Sequence, residues 1–551
     1  MSSPPRRIRA GGTGGRTLLV GAALGVCLAV LLPILAVVSQ VFVSSGGVWA
    51  HLRATVLPLY VANSLLLVAG ATALAVAIGV TVGWLVAAFD FPGRRVFEWA
   101  LMLPLAMPAY VIAYVYFDRL SYWGPVQRGL RETFGWGRGD YWFPQIASLP
   151  GAAVLLALVL YPYVYLLSRA AFLGQPQGLM DSARALGHSR TGAFLRVALP
   201  MAWPAIAAGA AFVAMETLAD FGAVSHLGVQ TLTTGIFRTW FARGSLTAAA
   251  QLAALLVGLV LTLLVLERLL RGGRRFAGNG GGRSAGLVRV RLGPGAGILA
   301  MAVCLLPVLL GFALPAAELV RLALIAGDPL WGPRFWTFAW NSLRMASLAA
   351  LILVSLAVLL AYARRLTGGP VVGGALLAAS TGYAMPGAVI AVGVLIPLAA
   401  FDNALDAAMR THFGLSTGLL LTGSVAALLF AYAVRYLAVA LKSVEAAFER
   451  IPPSMDEAAR LLGTGPAGLL RRVHLPLMRR GLLTAAIFVF ADVMKELPAT
   501  LIVRPFNFET LATRAFRLAT DGRLEEAATA ALMIVAVGIG PVILLSRAMN
   551  R

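Results

Sequence analysis

Charge is scarce in this chain. Only 12% of its 551 residues are Asp, Glu, Lys or Arg, while 60% are hydrophobic and the mean hydropathy is +0.84. A soluble protein of this length needs far more polar surface to cover its core, so a soluble fold is excluded. Cysteine is nearly absent. Cys27 and Cys304 lie inside apolar runs, with no CxxC and no Cys/His cluster, which leaves no disulfide framework and no thiolate metal site. His51, His188, His226, His412 and His474 are scattered, and none forms an HExxH or another ligand pair at helical spacing. No GxxxxGK[ST] occurs, so the chain cannot hydrolyse ATP by that route. Clustered Asp, His or Ser at a membrane face, the mark of an integral membrane enzyme, is also missing. These absences predict no catalytic residue, no metal and no cofactor. Lysine occurs only as Lys442 and Lys495, the remaining basic side chains being Arg, which we read as codon composition.

What the chain does have is long apolar runs, many near or above the ~20 residues a helix needs to cross a bilayer. Backbone groups in lipid have no water to bond, so the spans should be helices, and the runs lack the alternation of a β-barrel. The expectation is an all-α polytopic membrane protein of about twelve transmembrane helices. The first six fall near 17–43, 60–88, 97–117, 150–172, 203–223 and 247–270. The second six fall near 296–325, 339–363, 371–400, 416–441, 481–503 and 526–547. Pro104, Pro108, Glu216 and Asp220 interrupt the third and fifth. Arg6, Arg7, Arg9 and Arg16 precede the first apolar run, which is longer than a signal-peptide core and lacks a cleavage site. It reads as a retained first span.

The two halves repeat. Asn63-Ser64-Leu65 opens the second span and Asn341-Ser342-Leu343 the eighth; Met107-Pro108 in the third matches Met385-Pro386 in the ninth. Both pairs stand at one and the same offset. A near-constant offset over several landmarks indicates duplication and fusion. The predicted organisation is a first repeat over 1–270, a basic Gly-rich linker over 271–293 and a second repeat over 294–551. An even number of spans per half makes the repeats parallel rather than inverted.

The net charge is +22. Its arginines sit in loops between spans, where they set orientation and meet anionic lipid head groups, so nucleic acid is not an expected partner. Arg94-Arg95, Arg364-Arg365 and the Arg-rich linker all mark one side as cytoplasmic. Parity then puts both termini on that side. The longest outer loop, about 118–149, carries Trp123, Trp136, Tyr141 and Trp142, as expected of interfacial aromatics.

Two polar, helix-forming segments break the apolar pattern. Asp181-Ser182-Ala183-Arg184-Ala185-Leu186-Gly187 is followed by Leu199-Pro200. In the other half, at nearly the offset of the earlier landmarks, Glu457-Ala458-Ala459-Arg460-Leu461-Leu462-Gly463 is followed by Leu475-Pro476. Residues 178–186 and 454–462 should be helical. Gly187 and Gly463 should stop them at C′. A second amphipathic stretch follows (191–197 and 466–473), with Pro200 and Pro476 marking its exit toward the next span. An interfacial helix held against lipid by Arg would explain one such segment. Two at matched register point instead to a pair of docking handles on the cytoplasmic face.

The pattern resembles the coupling loop of bacterial ABC-type importer permeases: Glu-Ala-Ala, a short spacer and Gly, then an aliphatic residue, a spacer and Leu-Pro. Glu457, Ala458, Ala459, Gly463, Val473, Leu475 and Pro476 fill it within a loop over about 443–480. Asp181, Ser182, Ala183, Gly187, Val197, Leu199 and Pro200 fill it within about 173–202, with Asp for Glu and Ser for Ala. Fused permeases of this kind include ferric-iron, thiamine and phosphonate importers. Residues 216–223 with 231–236, and 495–501 with 504–507 and Thr510-Leu511, are similar to the iron branch. The resemblance implies a bacterial inner-membrane transport subunit. Its implied partners are two cytoplasmic ATP-binding-cassette ATPase subunits and a periplasmic or extracellular substrate-binding protein. Ferric iron is the first substrate; thiamine, phosphonate and polyamine stay open.

Ionisable groups inside apolar spans are costly and usually face a cavity or a partner. Glu216 and Asp220, and Asp492 and Glu496, are each four apart and are expected to share a helix face. Lys495 is placed to neutralise a neighbour. These five are the candidates for the translocation pathway, against the alternative of structural pairing near a span end. A hard ferric ion favours oxygen ligands. Asn63 and Asn341 read as interhelical hydrogen bonders. An ion-coupled secondary transporter would need deep coupling acids and no cytoplasmic handles, which the two polar segments oppose.

Overall fold

The computed structural model describes residues 13–271, 288–325 and 332–549. Most of the linker, 272–287, lies outside the described residues. The described chain is helical apart from two-residue strands, Phe89–Asp90 and Val290–Arg291, which pair in parallel. Among the described residues ten helices are long and apolar enough to cross a membrane, or eleven if one bent pair counts as a span. The eleventh expected span, over 481–503, is not among them. Its helix, Leu475–Met494, carries Arg479, Arg480 and Asp492 and stops before Lys495.

Proline explains the bent pair. Arg94–Ala106 and Ala109–Phe134 meet at 88° around Met107-Pro108. Pro108 has no N–H and pushes Met107 out of the helical region, to ψ 116. The matching Met385 has ψ 131, and the second-half helix restarts at Gly387–Phe413. The run expected over 371–400 is therefore also divided, into Pro370–Ala379, a short 3₁₀ turn and the long helix.

Two packing units cut across the sequence halves. One joins Met1–Val41 to Trp340–Glu509. In it the first helix, Thr13–Ser39, lies along Gly387–Phe413, and Val425–Glu449 packs on Leu475–Met494. The other joins Phe42–Ala339 to Thr510–Arg551, and its main contact is Leu57–Ala88 along Leu149–Leu173. That approach needs glycine: a Cβ at Gly79 would stand 2.7 Å from Val164 Cβ and 2.9 Å from the Tyr161 carbonyl. Small residues let helix backbones close in lipid, where the hydrophobic effect supplies no attraction between helices.

The repeated Asn-Ser-Leu landmark has the same job twice. Asn63 Nδ2 donates to the Gln230 carbonyl at 2.9 Å, and Asn341 Nδ2 donates to the Glu509 carbonyl at 3.1 Å. Each carbonyl immediately precedes a helix started by a Thr–Thr capping box, Thr231–Thr234 and Thr510–Thr513. In the loop expected on the outer side, over about 118–149, Arg131 sits over the Tyr122 ring at 4.3 Å, and Trp136 stacks on Phe134 and Tyr141.

Candidate functional site

Both polar segments fold to one backbone design. The first helix is Gln177–Ala185 in one copy and Pro453–Leu461 in the other. Each ends on a left-handed glycine, Gly187 at φ +84 and Gly463 at φ +77. Gly187 N–H donates to the Arg184 carbonyl at 3.0 Å and His188 N–H to Ala183 at 3.1 Å; Gly463 and Thr464 repeat this with Arg460 and Ala459 at 2.9 and 3.0 Å. These are Schellman ends, the geometry that the C′ glycines predict. Nothing lies within 4 Å of a Cβ built on either glycine, so backbone conformation alone demands glycine there.

Pro200 and Pro476 mark the exits as expected, each as the second residue of the following helix, but the chain does not break there. Each sits inside a continuous helical run, just after a π turn, Phe194–Ala198 or Leu470–His474. A π turn bonds i to i+5, as Leu199 N–H does to the Phe194 carbonyl. The extra residue opens the ladder where proline supplies no donor and crowds the carbonyl four residues back. The handle is thereby joined directly to the next long helix, Leu199–Ala219 or Leu475–Met494.

The predicted motif residues fall into matched positions. Ala183 and Ala459 are buried; Asp181, Ser182, Glu457, Ala458, Pro200 and Pro476 are exposed. Val197, Leu199, Val473 and Leu475 are half-buried along the second stretch. The tips show bare leucine: Leu186 is 79% exposed, Leu461 89% and Leu462 85%. Isolated exposed apolar side chains are ordinary. Here they crown two geometrically equivalent handles.

Beneath the tips the two copies diverge. In the first, Ala87, Phe172, Met180, Ala183, Ala193 and Ala198 form an apolar core, with Trp84 and Phe194 against it. In the second, Asp456 stands where Met180 stands and His474 where Ala198 stands. Arg365 Nε donates to Asp456 Oδ2 at 2.7 Å, His474 Nε2 donates to Asp456 Oδ1 at 2.8 Å, and Arg365 also donates to the Phe448 and Ile451 carbonyls. Burial would raise the Asp456 carboxyl, but the hydrogen bonds and charges of Arg365 and His474 outweigh it and hold it below its ordinary value. Nothing in the linear order of residues announces this triad. Arg365 reads only as an orientation charge, and Asp456 and His474 lie on separate helical segments with the left-handed Gly463 turn between them, so no single helix face joins them.

Among the described residues, the end of the linker meets the first handle. Val288 N–H donates to Gln177 Oε1 at 2.8 Å, while Gln177 Nε2 donates to Asp181 Oδ1 at 3.1 Å. Next to it Glu98 gathers Arg94, Arg169 and Arg289.

The intramembrane candidates do not share helix faces. The helix that holds Glu216 ends at Ala219, and Asp220 is already extended at ψ 132. Its carboxylate caps the next short helix, accepting from Val224 N–H at 3.0 Å. Likewise Asp492 lies in the helix that ends at Met494, whereas Glu496 lies beyond it and accepts from Ala499 and Thr500 N–H, both at 2.9 Å. A carboxylate that caps a new helix start belongs to a broken helix, so i,i+4 spacing in the sequence misleads here. Lys495 pairs with Asp492 at 2.9 Å. Among the described residues no group of three or more His, Cys, Asp or Glu could hold a metal ion. Cys27 and Cys304 are buried and unbridged.

A many-spanned helical protein with no nucleotide-binding loop and two matched handles, each continuous with a long helix, fits a transport permease of the ABC importer class. Residues 79–272 match the family of binding-protein-dependent transport system inner membrane components, and the chain belongs to that family. It is 26% identical over 489 residues to an Fe(3+)-transport system permease of Haemophilus influenzae, covering 88% of this chain and 89% of the relative. It is 31% identical over 206 residues to a probable molybdenum ABC transporter permease of Haloferax volcanii, covering 37% of this chain and 72% of the relative. It is 28% identical over 207 residues to a molybdenum transport system permease of Escherichia coli, covering 36% and 87%.

Proposed function

We propose that this permease carries ferric iron across a bacterial inner membrane, with its two handles docked on two separate ATP-binding-cassette ATPase subunits and with a periplasmic or extracellular binding protein delivering the cargo. The observation that carries the docking reading is the paired Schellman-ended helix with exposed leucine at its tip and a continuous helical connection into the next long helix. A push on such a tip is delivered to that helix without an intervening break. Asp181, Ser182, Ala183, Gly187, Val197, Leu199 and Pro200, with Glu457, Ala458, Ala459, Gly463, Val473, Leu475 and Pro476, are the coupling residues in this reading. ATP binding and release by the partner would move the handles and alternate access.

Sequence halves 1–270 and 294–551 are parallel repeats in the same reading, with handles and both termini in the cytoplasm. Iron is supported by likeness to the Fe(3+) permease across nearly the whole chain, where the two molybdenum relatives named above align with 36% and 37% of it. Five charged residues, Glu216, Asp220, Asp492, Lys495 and Glu496, border the pathway in this proposal. Uptake of labelled ferric iron by cells lacking the gene tests the substrate. Loss of iron uptake, restored by the intact gene, is expected; unchanged iron uptake with loss of molybdate, thiamine or phosphonate uptake would overturn it. For docking, Glu457→Lys is expected to release the ATPase from membranes, and full retention of coupled ATPase would count against the handles.

A further inference from the structure

Glu496 and Asp220 occupy corresponding helix breaks in the two halves, related by the same offset as the handles, in very different electrostatic settings. Glu496 is 3% exposed and fully provided for. It accepts from two backbone N–H groups and the Thr500 hydroxyl, and the Arg435 guanidinium stands 3.4 Å from it. Its charge is structural, balanced by a cation built into the fold. Arg435 lies on Val425–Glu449, and the corresponding place on Leu149–Leu173 is Val159.

Asp220 therefore lacks that counter-charge. Beyond its cap to Val224, its surroundings are set by the chain itself: Glu216, another carboxylate, lies in the last turn of the helix that ends just before it, and the Tyr114 ring packs on His226 of the short helix that Asp220 caps. Among the described residues neither Glu216 nor Asp220 has an ion-pair partner. Both are half-buried. Tyr114 is 2% exposed, and its hydroxyl has no hydrogen-bond partner. A buried hydroxyl left unsatisfied is costly. His226 lies edge-on to the Tyr114 ring at 4.5 Å, and the Tyr110 ring stands 5.7 Å from it. Two carboxylates without a balancing cation, in a segment where charge is expensive, leave room for a cation that comes and goes.

We infer that Asp220, Glu216 and Tyr114 form a transient binding step for a hard, oxygen-preferring cation, a step that the second half lacks. This rests on the iron reading and narrows it. Carboxylate and phenol oxygens suit hard ions, whereas two uncompensated carboxylates repel an oxyanion such as molybdate. Three oxygen side chains are too few to trap the ion, and a transit step must release it.

Asp220→Asn keeps a side-chain oxygen for the Val224 cap and removes only the charge, which separates the two roles. In the complete transporter, with binding protein and ATPase present, labelled ferric iron uptake should fall about tenfold or more in Asp220→Asn, fall less in Tyr114→Phe, and recover in Asp220→Glu. ATPase stimulation by the binding protein should persist, which shows that assembly is intact. Wild-type uptake in Asp220→Asn would overturn the proposal. A second measurement does not depend on iron being the cargo. Tb³⁺ titrated into the purified full-length permease should give sensitised emission that is displaced by Ga³⁺ and weakened in both Asp220→Asn and Tyr114→Phe. If emission is the same in the variants, the site is wrong. If the wild type binds Tb³⁺ in this way but takes up no iron, the substrate reading fails and the cation step stands.

Discussion

The two handles share a backbone to within the details of individual hydrogen bonds, yet they are built around opposite chemistry. The first rests on packed Trp84, Phe172, Met180 and Phe194; the second on Arg365, Asp456 and His474, framed by the Tyr362 and Phe448 rings. A helix, a left-handed glycine and a π turn before proline are local devices, and they set the shape in both. What fills the interior is a separate choice. An apolar core tolerates substitution gradually, whereas a buried ionic triad is neutral when complete and costly when broken. The halves can therefore hold the same geometry for a partner while responding differently to mutation and to acid.

That contrast can be broken most forcefully at Asp456. Asp456→Ala leaves the largely covered Arg365 guanidinium without its carboxylate and should destabilise the second handle by about 3 kcal/mol, read as a lower midpoint for loop proteolysis. Met180→Ala, the corresponding change in the first, creates only a cavity and should cost less. Equal losses would mean that the triad is no more demanding than the apolar core. Replacing Arg365, Asp456 and His474 together by apolar residues of similar volume should recover much of the loss.

A smaller effect is expected at the glycines, and it should be the same in both copies. Gly187→Ala and Gly463→Ala force a side chain into the left-handed region at a cost of about 1–2 kcal/mol each. Proteolysis of the loops and co-purification of the ATPase would read the change. A loss at one position only would show that the two turns are not equivalent.

The smallest effect is pH dependence, and it should appear in the second handle alone. The folded carboxyl of Asp456 lies below its unfolded value, so its stabilisation is fully present above the unfolded carboxylate range near ~3.9. It disappears as pH falls through the lower folded value. Loop proteolysis should therefore be flat for both handles at neutral pH, with only the second loosening in strong acid. Loosening of both together would point to a cause other than Asp456.

Several features are legible in the linear order of residues. The apolar runs announce a helical membrane protein, and Gly187 and Gly463 announce the turns, because a Schellman end depends on residues adjacent in the chain. Asn63 and Asn341 are legible as polar anchors, although their partners are loop carbonyls. The eleventh expected span is harder to read, since Arg479, Arg480 and Asp492 dilute a stretch whose mean composition still looks apolar.

The sequence by itself determined the class, the matched handles and their glycine turns, because each follows from periodicity or from contacts within a few residues. Only tertiary structure decided that Pro200 and Pro476 ride inside helices, that Asp220 and Glu496 cap new helices, and that Arg365 meets Asp456 and His474. Each of those outcomes depends on groups far apart in the chain, or on a choice between competing hydrogen-bond partners. Spacing along one strand of sequence cannot weigh a distant arginine against a nearby backbone N–H.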